Sequence, residues 1–181
     1  MQAKVLRTDH RKAEERYRQY RQLVYEATME QFPGVVAREV TLLDCLTADG
    51  WKKLNLPDGR RSRAAWDWTK ELPFYRNKPN RFEISLCSGS TLCALCYGQT
   101  SRHGTRVRMN LIEAIPVRPN PLGYRALTVL SFAAAAFADV VGATEVWVLD
   151  PYPQLERLYG SEGFGPREIY HGKRVGQRRI L

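Results

Sequence analysis

The sequence is poor in the residues that build metal centres and disulfide frameworks. Among 181 residues there are three histidines and four cysteines. His10, His103 and His171 stand far apart, at a helix start and at two turns, where surface positions are expected. Cys93 and Cys96 form one Cys-x-x-Cys pair, but Cys45 and Cys87 supply no second pair at finger-like spacing. In an extended strand residues three apart point to opposite faces, so no metal site is expected. A cysteine-histidine nucleophile has no local signature. Long apolar runs are also missing: Leu127 to Ala138 is about a dozen residues including two polar ones, against the roughly 20 that cross a bilayer. The chain opens Met-Gln-Ala-Lys and passes into an arginine-rich helix rather than an apolar leader, so a cytoplasmic protein with reduced thiols and no membrane span is expected. There is no internal repeat and no low-complexity tract.

Acidic residues are in deficit. Nineteen Asp and Glu oppose 28 Lys and Arg, a net charge of +9 with a pI near 9.6. Such a balance attracts something anionic, whether nucleic acid, a phosphate-rich ligand or an acidic protein, without naming which. With 44% hydrophobic and 26% charged residues the chain is neither disordered nor collagen-like. At 20.8 kDa it is one domain, 1–181, large enough to bury a core without a disulfide or metal.

From Asp9 to Gln31, Ala13, Tyr17, Tyr20, Val24 and Ala27 recur at spacings of four, three, four and three, one stripe of a helix. Thr8 or Asp9 is the expected cap, and Pro33-Gly34 the stop. Arg11, Lys12, Arg18 and Arg21 beside Glu14 and Glu15 read as its solvated face. Between 50 and 81, nine basic residues (Lys52, Lys53, Arg60, Arg61, Arg63, Lys70, Arg76, Lys78, Arg81) face Asp58, Asp67 and Glu71, so 9 − 3 = +6 of the charge lies there. Leu56-Pro57-Asp58-Gly59 signals a turn, Ser62 to Leu72 a short helix presenting Trp66, and Pro73 to Asn80 a loop. This segment is the expected electrostatic contact surface. Strands follow at Arg81 to Cys87, Thr91 to Gln99 and Thr105 to Val117, an antiparallel meander joined by the Ser88-Gly89-Ser90 turn and the loop at Arg102-His103-Gly104. A proline-rich loop, an alanine-rich helix from Gly123 to Val141, a Gly142 stop and the apolar strand Glu145 to Leu149 make a βαβ crossover. Pro153 to Ser161 reads as a short helix closed by Gly163, and the tail as a hairpin around His171-Gly172.

Four segments in this order carry a family resemblance. They are Glu113-Ala-Ile-Pro-Val117-Arg118-Pro119, a strand ending in a Val-x-Pro type sequence; the loop Arg118-Pro-Asn-Pro-Leu-Gly123; Glu145-Val-Trp-Val-Leu149; and Leu158-Tyr159-Gly-Ser-Glu-Gly163-Phe164. Order and spacing together, over Arg81 to Phe164, resemble the GNAT superfamily of acyl-CoA-dependent N-acyltransferases. The resemblance implies a mixed α/β (α+β) fold: a central, mostly antiparallel twisted sheet with splayed middle strands, flanked by helices. Within one domain, 1–80 would supply opening strand, helices and basic segment, 81–164 the acyl-CoA-binding core, and 165–181 the C-terminal strand region.

The resemblance also implies a site. The family's loop is written Gln/Arg-x-x-Gly-x-Gly/Ala; Arg118 and Gly123 fit its ends, while Pro121 replaces the middle glycine and has no N–H for a phosphate. Leu122, Gly123, Tyr124 and Arg125 can still donate at a helix start, which favours anions. Ile115 and Val117 would contribute the strand backbone that holds the pantetheine arm. The family often has an asparagine where this chain reads Asp150-Pro-Tyr-Pro-Gln154, so Gln154 is the expected substitute. Glu113 would act as general base toward the acceptor amine, the alternative being a carboxylate paired with Arg106 or Arg108. Tyr159 would protonate the departing thiolate, since a phenol of pKa about 10 is protonated at neutral pH; the alternative is a ring packed beside Phe164.

The function implied is transfer of an acetyl or short acyl group from acetyl-CoA, or another acyl-CoA, to a primary amine by direct attack on the thioester, with no metal. The acceptor is left open among a small molecule, a protein amine and an aminoacyl-tRNA, with an anionic partner at Lys52 to Arg81. Transfer from an acyl carrier protein would also suit the basic segment. The oligomeric state is open, a dimer being compatible. A second reading, motivated by Pro121 and the missing asparagine, is a decayed acyltransferase fold that binds nucleic acid or an acidic protein.

Overall fold

Apolar residues at helical spacing make a helix whose length the stripe understates. In the computed structural model, which describes residues 2–54, 56, 66–123, 125–172 and 174–181, helix α1 runs Gln2–Gln31. Thr8 and Asp9 therefore lie inside the helix rather than at its start. Val24 and Tyr25 are buried, Tyr17 and Tyr20 pack at the core's margin, and Gly34 at φ +86° turns the chain into β1 (Val35–Arg38).

Arg21 departs from the expected solvated face. Its side chain is 3% exposed. Its Nη2 lies 2.8 Å from Glu14 Oε1, and its Nε 3.6 Å from Glu83 Oε1. Arg81 meets the same two carboxylates, at 2.6 Å from Glu83 and 2.8 Å from Glu14. Burial pushes the Glu83 carboxyl above its ordinary value, opposed by the pull of Arg81 and Arg21. Helical spacing places Arg21 near the inner stripe, and a charge can stay there because it is paired.

A capping box opens α2 (Leu42–Gly50): the Thr41 hydroxyl accepts from the Asp44 N–H and the Asp44 carboxylate accepts from the Thr41 N–H. Burial pushes the Asp44 carboxyl up, but hydrogen bonds from Arg38 and Thr41 outweigh it and hold the group below its ordinary value. α3 (Trp68–Arg76) is capped from outside its own sequence, by the Asp49 carboxylate, which accepts from the N–H groups of Trp68 (2.7 Å) and Thr69 (3.2 Å). The helix expected at Ser62 to Leu72 thus runs on through the stretch expected to be loop, as far as Arg76; residues 62–65, Pro57-Asp58-Gly59, Arg60, Arg61 and Arg63 lie outside the described residues.

The strands β2 (Arg81–Ser88), β3 (Thr91–Thr100) and β4 (Arg106–Ala114) form the expected antiparallel meander. α4 (Ala126–Val141) crosses over to β5 (Glu145–Leu149), which pairs parallel with β4. α4 ends in a Schellman turn, with Gly142 at φ +75° and the Ala143 N–H on Ala138 O at 2.8 Å. After α5 (Glu156–Ser161), β6 (Arg167–Tyr170) and β7 (Arg174–Ile180) make the final hairpin. The described strands form one seven-stranded sheet in the order β1-β2-β3-β4-β5-β7-β6. β4 stops at Ala114, short of Val117, and α4 begins at Ala126. α1 and α4 cover one face; α2 and α3 cover the other over β2 to β4.

Two β-bulges set the faces. On β3, Leu86 pairs with Ala94 and Cys87 with Leu92, leaving Cys93 as the extra residue. Cys93 and Cys96 consequently join the same core cluster, against the alternation expected of them. All four cysteines are buried free thiols, and among the described residues no cluster of metal-ligating side chains is arranged to hold an ion. On β4, Tyr97 pairs with Leu111 and Gly98 with Met109, leaving Asn110 as the extra residue. A Cβ on Gly98 would lie 1.9 Å from Arg108 O, so only glycine allows β4 to approach this closely.

Gly98→Ala is expected to lower stability by about 2–3 kcal/mol, read as a lower urea midpoint, because backbone must move to admit the methyl. Arg21→Ala is expected to cost about 3–5 kcal/mol in the same assay, because it strands buried carboxylate charge.

Candidate functional site

The bulge at Asn110 coincides with the point where the sheet opens. β4 and β5 pair from Arg106–Glu145 to Met109–Val148 and no further. Beyond it β4 stays with β3, whereas β5 turns away through Asp150, at φ +50°, and Pro151. Asp150 is held to the far side by β7: its N–H donates to Val175 O at 2.7 Å, and its carboxylate takes Arg174 at 2.6 Å. The strands part into a cavity of about 600 Å³, within the range that takes small molecules and cofactors. Met109, Asn110, Ile112, Glu113, Ala114 and Pro116 form one wall; Val148 to Tyr152, Leu155 and Tyr159 form the other; Leu56, Trp66 and Arg118 also line it.

The Ile115 N–H donates to Cys93 O at 2.8 Å, so Ile115 turns its backbone toward β3 and not toward the cleft. Alternation along the ladder then directs the polar backbone groups of Ile112 and Ala114 into the opening. Ile115 and Val117 are not among the lining residues, because the strand ends before them.

Glu113 lines the cleft and is 8% exposed. Its Oε2 accepts a short hydrogen bond from the Trp68 indole N–H. Arg106 instead pairs with Glu145 at 2.8 Å, and Arg108 Nη2 donates to Thr100 O. Tyr159 lines the opposite wall, with no hydrogen-bond partner for its hydroxyl among the described residues. Burial, with the nearby Cys96, pushes its phenol up to about 12. Its ring also packs edge-on against Phe164, at 6.0 Å between centroids, so packing and cleft exposure coexist.

The loop before α4 differs from its expected use. Asn120 organises it: its Oδ1 accepts the Leu122 N–H at 2.8 Å and its carbonyl the Gly123 N–H at 2.7 Å. Those two amides are spent within the turn, Leu122 is buried in the core, and Pro121 sits where no N–H is required. Arg125 directs both its N–H and its Nε toward Leu122 O, at 3.4 and 3.5 Å. The donors left over are those of the first turn of α4, Ala126 to Thr128, which have no intrahelical acceptor. Arg118 lines the cavity; Gly123, Arg125 and Gln154 are exposed outside it, and Tyr124 lies outside the described residues.

Among the described residues of the basic segment, several charges are paired. Lys52 and Lys70 both pair with Asp67, whose carboxyl they pull down to about 2, and Arg81 is buried in the α1–β2 network. Lys53 and Arg76 are exposed.

Asn110, Trp66 and Trp68 carry no sequence motif. An asparagine, poorly suited to strands, inside Arg-Val-Arg-Met-Asn-Leu-Ile-Glu-Ala was the available signal for the bulge. The Asn110 Nδ2 donates to the Tyr75 hydroxyl at 3.1 Å, while its Oδ1 is buried and has no partner among the described residues.

No family model and no curated protein sequence matches the chain. Solved structures do. An acetyltransferase from Thermus thermophilus superposes with a TM-score of 0.58 at 16% identity, covering 81% of this chain and 97% of that one. The PaiA N-acetyltransferase from Thermoplasma acidophilum, in complex with coenzyme A, gives 0.54 at 14% identity, covering 81% and 99%. A spermidine N-acetyltransferase SpeG chimera from Vibrio cholerae and hSSAT gives 0.56 at 12% identity, covering 81% and 95%. The fold is that of the GNAT acyltransferases, a mixed seven-stranded sheet flanked by helices.

Trp68→Phe keeps a ring of the same character but removes the N–H that Glu113 accepts. It is expected to lower stability by about 1–3 kcal/mol, measured by urea denaturation.

Proposed function

We propose that the protein is an N-acyltransferase that moves an acetyl or other short acyl group from a coenzyme A thioester to a primary amine. The observation that carries this reading is the fork between β4 and β5. Its backbone groups at Ile112 and Ala114, which the ladder turns away from β3, offer an extended, amide-bearing arm the positions that a neighbouring strand would otherwise fill. Arg118, Arg125 and the amides opening α4 suit the anionic end of the same ligand. The cavity admits the arm, and Pro121 does not obstruct it. Neither Pro121 nor the absent asparagine closes the cleft, so the binding-only reading has no observation in its favour.

When bound, the thioester supplies an activated acyl carbon. The amine lone pair attacks that carbon, the C–S bond breaks, and the amine gives up a proton. Glu113, held by the Trp68 indole, is a carboxylate in the cleft that can take this proton, directly or through water. Tyr159 faces it from the opposite wall. A phenol near 12 is a weaker acid than a thiol of ordinary pKa about 8.5, so Tyr159 serves the departing sulfur by donating a hydrogen bond rather than by complete proton transfer. Proximity supplies much of the remaining acceleration, because both partners are held in one cavity.

Calorimetric titration with acetyl-CoA is expected to show saturable binding; a flat titration removes the acyl-CoA reading. Tyr159→Phe is expected to reduce thiol release with a panel of primary amines by about 100-fold while leaving acetyl-CoA affinity within about threefold. Since burial raises the phenol to about 12, activity should not fall through its ionisation below about pH 11. An equal loss of turnover and affinity in the variant would remove its role in the transfer.

A further inference from the structure

Asn110 has a role to fill that the scheme above does not use. It is the extra residue of the bulge, next to the last paired position before the strands part. Its carboxamide is locked by the bond to the Tyr75 hydroxyl, and Tyr75 is itself buried and stacked on Tyr97 at 4.5 Å with 5° between ring planes. The lock leaves Oδ1 buried without a partner among the described residues, in a side chain that lines the cleft. A buried acceptor without a donor is destabilising, a penalty that a ligand N–H removes.

The direction of approach follows from the packing. Tyr159 and the start of α4 belong to the core on one face of the sheet; Tyr75, Trp68 and Trp66 belong to the other. Asn110 is tied to the second. A donor that reaches it comes from the α3 side, away from the loop proposed for the phosphates. In the cavity Asp150 is engaged by Arg174 and the Val175 N–H, and Glu113 by the Trp68 indole. Leu56, Trp66 and Tyr152 line the same cavity, Trp66 from the α3 side.

We propose that Asn110 Oδ1 is the hydrogen-bond acceptor for the incoming amine, and that this amine is a hydrophobic primary amine whose body rests on Leu56, Trp66 and Tyr152. The proposal rests on the acyltransferase reading. A neutral carboxamide suits the task because it holds an N–H without favouring the ammonium form as a carboxylate does, so the lone pair remains available for attack. The N–H accepted by Asn110 stays intact; the proton lost is another one, passed toward Glu113.

The test titrates the full chain, saturated with coenzyme A, with benzylamine and with spermidine. Benzylamine is expected to bind at least about tenfold more tightly than spermidine, and Asn110→Leu to weaken benzylamine about tenfold with coenzyme A affinity unchanged. Asn110→Asp, which keeps the shape, is expected to move the rise of kcat/KM for benzylamine to higher pH. Tighter binding of spermidine, equal benzylamine affinity in wild type and Asn110→Leu, or a loss confined to coenzyme A overturns the proposal. Should Asn110→Leu fail to fold, Tyr75→Phe releases the carboxamide and is expected to weaken benzylamine severalfold; unchanged affinity overturns the proposal. Failure of the wild type to bind coenzyme A overturns the acyltransferase reading as well, whereas coenzyme A binding with no effect on the amine overturns this proposal alone.

Discussion

The close approach of Gly98 to the Arg108 carbonyl governs this molecule. With no Cβ in the way, β4 can press against β3 and carry one residue more than its partner, and the surplus at Asn110 changes which side chains face which helices. Val107 and Met109 point into the α4 core, yet Leu111 points into the α3 core, and Glu113 meets the Trp68 indole there. Past the bulge β4 follows β3 while β5 is drawn off toward β7 by Asp150. One backbone irregularity thereby opens the sheet and aims a carboxylate into the opening.

The walls of that opening are held by parts of the chain remote in sequence. Asp49, at the end of α2, caps α3, and α3 delivers Trp68 to Glu113 and Tyr75 to Asn110. On the other wall, Thr128 of α4 donates to Glu162 at 2.6 Å, tying the helix that starts beside the loop to the segment that carries Tyr159. The Arg21–Glu14–Arg81–Glu83 cluster anchors α1 to β2 in the same manner. The ties made by Asp49, Glu113, Glu162 and this cluster are short-range and charge-assisted, so they fix direction as well as distance.

Departures from the family pattern acquire a physical reading in this setting. Pro121 reads in the sequence as the loss of a phosphate donor, but the neighbouring amides of Leu122 and Gly123 are already taken by Asn120, so the turn itself offers few donors whether or not position 121 is proline. Tyr159 lines the cavity, and burial makes its phenol a weaker acid than an exposed tyrosine. Among the described residues between Lys52 and Arg81, Lys52, Lys70 and Arg81 are paired with carboxylates, while Lys53 and Arg76 are exposed.

Periodicity and turn chemistry act between near neighbours, and they were legible. The meander, the crossover, the Gly142 stop, the strand Glu145 to Leu149 and the closing hairpin all follow from them; Glu113, Arg118 and Tyr159, which line one cavity, were named only by the family resemblance. What depended on partners far along the chain was not legible. A bulge is a mismatch between two strands, so neither β3 nor β4 alone discloses that Asn110 is surplus or that Cys93 and Cys96 share a face. The cap on α3 comes from Asp49, the burial of Arg21 from Glu83, and the occupation of the Leu122 amide from the orientation of one asparagine. Local sequence determined the elements and their order; only the packed sheet decided where it opens, because that depends on how closely two backbones can approach.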